Sequence, residues 1–281
     1  QSVLAAAFRG DLTADWRKQH PAVEPASTLP KRIRLERRAK WEAAELAKLK
    51  AKGKAPKDDK WKSKYVEPEP VDTSDLPQLP RTWAWTSWGT IASWITYGFT
   101  RPMPHVESGP LIVTAKNVNN GRIDFENAHR TTAKAFKELS LKDRPVAGDL
   151  LLTKDGSIGR PAIVPENAPE FCINQSVAVA WLRVEGLSRE YLLGAVEAPM
   201  TQIPIRAEIR GNAVQHLSIT DFARIPLPLA PLEEQSAIAR TLVTQRALVA
   251  TLGATTESQV NSLAELERAL LAKAFRGELV D

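Results

Sequence analysis

The feature that most constrains how this chain can fold is a run from Leu232 to Phe275 that contains no proline. Its large apolar residues fall at Ile238, Leu242, Val249, Leu252, Leu263, Leu266 and Leu270. Successive members stand three, four, seven or eleven positions apart, spacings that return to one side of a helix with 3.6 residues per turn. At 1.5 Å per residue the predicted helix is roughly 66 Å long, more than a domain of ordinary size can cover. Something other than the chain's own domain must therefore cover part of the stripe, with Phe275 packing on a partner at its end. Between Gly253 and Gln259, Thr and Ser replace the apolar residues, which predicts a break or a polar layer there.

Composition narrows the class. The 281 residues are 43% hydrophobic, the content of a globular protein and not of a disordered one. A single cysteine, Cys172, allows no internal disulfide, and histidines at 20, 105, 129 and 216 have no metal-ligand spacing. No run approaches the roughly 18 apolar residues of a membrane span, and the first residues lack the pattern of a signal peptide. These readings predict a cytoplasmic protein without a structural metal or a cofactor. The missing initial Met suggests a fragment or a processed product.

The net charge of +5 is unevenly spread. Residues 31–64 hold fourteen Lys and Arg against five Asp and Glu, whereas residues 81–230 hold sixteen against fourteen. Recognition in the latter segment must rest on placed side chains more than on bulk field. Residues 31–52, rich in Ala, Leu, Lys, Arg and Glu, predict a mostly exposed helix with a thin stripe of Ile33, Trp41 and Ala44. It serves either as a solvated connector or as a phosphate contact. Pro56, Pro68, Pro70, Pro77 and Pro80 then mark residues 53–80 as extended linker.

From Trp83 the pattern changes to short β-branched runs such as LIVTAKNV, DLLLTKDGSIG, PAIV and SVAVAWL, divided by Gly, Asn and Pro. The predicted class is α+β: a strand-rich domain at 81–230, a C-terminal coiled-coil helix at 231–281 and a charged helix and Pro-rich linker at 13–80. One helix is expected near Ser188 to Ala198, and a short capping box at Ser218 to Asp221.

The two ends of the chain repeat each other. Residues 3–12 read VLAAAFRGDL and residues 270–279 read LLAKAFRGEL, identical at seven of ten positions. The chain thus opens with the last turns of a helix of the type that closes it. Together with LPQLPRTWAWTSWGTIA at 76–92, GPLIVTAKNVNNGRI at 109–123, AGDLLLTKDGSIGRPAIV at 147–164 and IPLPLAPLEEQSAIARTL at 225–242, this pattern resembles the specificity subunit of type I restriction-modification systems. The resemblance implies two tandem target-recognition domains, each followed by a long spacer helix. Residues 1–12 would then end the central spacer, 81–230 would be the second target-recognition domain and 231–281 the C-terminal spacer. Thr82-Trp83 stands where the family commonly has Gly-Trp.

The residues agree with a non-catalytic role. The chain has no GxxxxGK[ST] loop, no GxGxxG and no Asn-Pro-Pro-aromatic or Asp-Pro-Pro-aromatic tetrapeptide. Base reading calls for Arg or Lys toward guanine and Asn or Gln toward adenine. Three clusters on expected loops supply these: Lys116, Asn117, Asn119 and Asn120; Lys154, Ser157 and Arg160; and Arg206, Arg210, Asn212 and Gln215. Tyr97 and Arg101 are further candidates. The competing reading is that Asn119, Asn120 and Asn212 only shape turns. By resemblance the partners are double-stranded DNA, adenine methyltransferase subunits and an endonuclease or translocase subunit, with a second copy of the half-subunit as an alternative cover for the helix. A recognition domain cut from a fused methyltransferase-nuclease polypeptide is the rival reading.

Overall fold

The computed structural model describes residues 3–276 except 57, 183 and 212–215, with no side-chain description at 208–211. The chain forms two units, residues 1–239 and residues 240–281. The first begins with α1 (Val3–Arg9), α2 (Ala14–Gln19) and the basic α3 (Thr28–Ala51). Leu29 and Ile33 bury one edge of α3, and the Arg37 guanidinium donates to the Gly89 carbonyl at 2.5 Å. Trp41 stacks on Trp61 at 5.9 Å, so the Pro-rich segment folds back on the helix through a 3-10 turn at Asp59–Lys64.

Then follow β1 (Ala84–Ser87), α4 (Trp88–Ile91), β2 (Ile95–Tyr97), β3 (Val106–Val113) and the hairpin of β4 (Val118–Asn119) with β5 (Arg122–Ile123). Next come β6 (His129–Arg130), α5 (Ala133–Lys137), β7 (Leu150–Thr153), β8 (Pro161–Ile163), β9 (Phe171–Ile173) and β10 (Val177–Ala180). The strands order as β2-β10-β7-β8 in one antiparallel sheet and as β6-β3-β9 in a second, where β3 and β9 run parallel. In β3 and β9, Leu111 pairs with Phe171, Ile112 with Cys172 and Val113 with Ile173. Side chains alternate along a strand, so the odd-numbered members enter the main core with Leu151, Val177 and Val179, while Ile112 and Cys172 pack with Phe136 and Leu139 on the other face. Burial on both faces explains why LIV and FCI read as unbroken apolar runs.

The domain closes with α6 (Arg189–Glu197), α7 (Pro199–Gly211), α8 (Ile219–Arg224) and β11 (Pro226–Leu229), which pairs antiparallel with β1. Ser188 and Ser218 cap α6 and α8 by accepting from the main-chain N–H groups of Tyr191 and Asp221. Finally α9 (Leu232–Phe275) begins in the first unit and makes up the second. It runs through Gly253–Gln259 as continuous helix, so of the two alternatives, a break or a polar layer, the break does not occur. The hydroxyls of Thr251, Thr255, Thr256 and Ser262 fold back onto carbonyls four residues earlier at 2.9–3.0 Å, which accommodates them within the helix. Ile238 and Leu242 are buried, whereas Val249, Leu252, Leu263, Leu266, Leu270 and Phe275 are exposed.

Candidate nucleic-acid interface

Several strands deliver polar side chains to one end of the mixed domain. Tyr97 of β2 and Leu152 of β7 both pair with Ala178 of β10, so alternation places Lys154 on the face of Tyr97. The Lys154 ammonium lies 5.3 Å from the Tyr97 ring centroid, and the Lys142 ammonium lies 5.2 Å from the same ring. Lys142 also donates to the Tyr97 carbonyl at 3.2 Å. Two cations against one ring favour a fixed orientation for a side chain that is 37% exposed.

Lys154 itself is buried. Its ammonium pairs with Asp155 Oδ2 at 3.0 Å, and Asp155 Oδ1 lies 2.7 Å from His216 Nδ1. Desolvation of Asp155 opposes its ionisation, but hydrogen bonds from His216 and Lys154, with the lysine charge, more than offset it and hold the carboxyl below its ordinary pKa. Leu217 N–H donates to the Lys154 carbonyl at 3.0 Å, and Asp155 and His216 form an isolated antiparallel bridge. The imidazole is thereby held by main chain and side chain together.

Neighbouring loops are stitched to this cluster. Lys154 N–H donates to the Ser176 carbonyl at 2.9 Å, and the Ser176 hydroxyl accepts from Ala115 N–H at 2.9 Å, which brings exposed Lys116 to the same strand ends. Within the loop between β7 and β8, Thr153 Oγ1 donates to the Ser157 carbonyl and accepts from Arg160 N–H, leaving the side chains of Ser157 and Arg160 exposed. Gln202 of α7 donates to the Gly159 carbonyl at 2.9 Å, and Arg206 stands one turn further along that helix, exposed.

Other expected residues lie differently. Arg206 was expected on a loop and is on a helix, because Ile205 and Thr201 bury one side of α7 despite Pro204. Asn117 is buried and its amide is spent: Oδ1 accepts from Thr114 N–H and Oγ1, and Nδ2 donates to the Asp124 carbonyl. It braces a 3-10 turn and offers nothing to a base edge. Asn119 and Asn120 make the β4–β5 turn, with Asn120 in the left-handed region at φ 50°, beside Leu193 of α6 through Gly121. Arg101 is tied to α5 by Glu138 at 3.3 Å and by the Ala135 carbonyl. The side chain of Arg210, and Asn212 and Gln215, lie outside the described residues. The sequence reading did not single out Lys142, Asp155 or His216 as site residues: the Lys142–Tyr97 and Asp155–His216 contacts span 45 and 61 positions and leave no local pattern.

The class these features define is a mixed α+β recognition domain continued by a long, largely exposed helix. The chain belongs to the type I restriction modification DNA specificity domain family, whose model matches residues 103–261. Members of this family are DNA-recognition subunits and not themselves catalytic. The chain is 28% identical over 218 residues to the type I restriction enzyme EcoBI specificity subunit of Escherichia coli, covering 72% of this chain and 43% of that protein. It resembles the HsdS subunit crystal structure from Thermoanaerobacter tengcongensis at TM-score 0.50 and 21% identity, covering 90% of this chain and 57% of that one. A chain from a structural study of complex assembly and conformational transition of the type I R-M system matches at TM-score 0.57 and 22% identity, covering 90% and 58%. The chain thus spans about half the length of these relatives. Among the described residues no helix is long and apolar enough to cross a membrane.

Proposed function

We propose that this chain reads one half of a bipartite DNA target with the strand-end surface of Tyr97, Lys116, Ser157, Arg160 and Arg206, while buried Lys154, expected to contact DNA itself, braces Tyr97 and Asp155 from beneath. The observation that carries this reading is that the turn at 115–117, the β7–β8 loop and α7 are tied together by hydrogen bonds at the strand ends, where the Tyr97 ring is flanked by two lysines. Base readout requires such fixed geometry, because a bidentate contact discriminates only when donors are held in register. The domain's near-neutral charge fits readout by placed groups.

The exposed stripe of α9 supports a second part of the reading: it docks adenine methyltransferase subunits, or a second copy of the half-subunit, in a cytoplasmic assembly that includes an endonuclease or translocase subunit. A row of uncovered Leu and Val on a polar helix is a cost that association removes. The test of the recognition claim is selection by the full chain from a duplex pool with a randomised centre. A single short motif is expected to be enriched. Retention of duplexes without sequence preference would overturn it.

A further inference from the structure

We propose that His216 is a specificity-determining residue whose Nε2 accepts a hydrogen bond from the exocyclic amino group of a cytosine or adenine, with Asp155 as its positioning residue. This rests on the half-site reading above and names a contact within it.

The argument starts from the hydrogen between two atoms. Asp155 Oδ1 and His216 Nδ1 are 2.7 Å apart, and an ionised carboxylate offers only lone pairs, so Nδ1 must carry the hydrogen. The Lys154 ammonium also lies 3.3 Å from Nδ1, but it is closer to Asp155 Oδ2 and cannot supply the hydrogen on the Nδ1–Oδ1 line. In a neutral ring whose Nδ1 is a donor, Nε2 is an acceptor. The side chain is 42% exposed, and the Lys154 ammonium that lies 3.3 Å from its Nδ1 is the one set against the Tyr97 ring.

An acceptor held in this way selects its ligand by chemistry. A phosphate oxygen is itself an acceptor and is refused. On the major-groove edges of the bases the donors are the N4 amino of cytosine and the N6 amino of adenine, while guanine O6 and thymine O4 face the ring with another lone pair. His216 therefore favours an amino base over a keto base on the strand it meets. In that neutral tautomer the ring meets a base donor through Nε2 and passes over a phosphate oxygen.

The experiment uses the full chain and the duplex it selects. His216→Ala is compared with the parent on that duplex, base pair by base pair, and then on duplexes in which one adenine is replaced by purine or one cytosine by 2-pyrimidinone, each lacking only the amino group. At one position both changes should weaken binding by roughly tenfold, and combining them should cost no more than either alone. His216→Gln, whose carboxamide oxygen can accept, should recover part of the preference, and both variants should melt with the parent because the ring is not in the core. Unchanged base preference in His216→Ala, a uniform loss on all sequences, or losses that multiply on combination would each overturn the proposal while leaving half-site recognition intact. If the parent selects no sequence at all, the half-site reading falls and takes this contact with it.

Discussion

Arg17 Nη1 lies 2.5 Å from Glu234 Oε1, joining the segment that follows the first copy of the terminal repeat to the first turn of the long helix. The Glu234 side chain is fully buried, its Oε1 also accepting from the Thr13 hydroxyl at 2.6 Å and its Oε2 from Trp83 Nε1 at 2.8 Å. Arg17 in turn donates to the Gly10 carbonyl at 2.6 Å, so the opening Trp of the domain, the repeat and the exit helix share one carboxylate.

Removing the cation from this knot strands a buried charge. We expect Arg17→Met to destabilise the first unit by about 3–5 kcal/mol, and Glu234→Gln by less, since the amide keeps an acceptor for Trp83 or Thr13. Urea denaturation of both variants against the parent checks the order. Equal, small effects would show that solvent replaces the arginine without cost.

Gly98 follows Tyr97, and a Cβ there would lie 1.9 Å from the Ile173 carbonyl oxygen. Since backbone and not a flexible side chain occupies that space, Gly98→Ala must displace β2 from its neighbours. A loss of roughly 1–3 kcal/mol is expected, together with weakened DNA binding through Tyr97. A crystal structure or spectrum showing Tyr97 unmoved in this variant would separate the two effects.

The parts of the fold that repeat over many residues could be read from sequence, and the parts that depend on distant pairs could not. The α9 stripe is written in steps of three and four, and Ser188 and Ser218 announce their helices by cap chemistry. Arg206 instead was expected on a loop, where tertiary packing of Ile205 sustains a helix. Lys142 and Tyr97 are 45 positions apart and His216 and Asp155 are 61 apart, so their meeting is a property of the tertiary fold and leaves no local pattern.

Cys172 provides a test of the core. Burial, with a smaller contribution from the Asp143 charge, pushes its thiol up to about 12. At pH 8 the reactive thiolate should therefore be scarce, and iodoacetamide should label the folded chain far more slowly than the chain in urea. Rapid labelling without denaturant would contradict the two-faced burial of β9.

On α9, Leu263 is 66% and Leu270 is 47% exposed. Replacing both with Asp should abolish self-association or methyltransferase capture while leaving the melting of the recognition domain unchanged. Light scattering and pull-down with purified methyltransferase subunits provide the readout. Capture that survives the double substitution would place the docking surface elsewhere.

The most direct test of where DNA lies is photo-cross-linking of the full chain to its selected duplex carrying halogenated pyrimidines, followed by mass spectrometry of the attached peptides. We expect attachment at Tyr97, at Lys116, within residues 154–160 and at His216. Attachment confined to the basic helix at 28–51 or to the Asn119–Asn120 turn would contradict recognition by the strand ends.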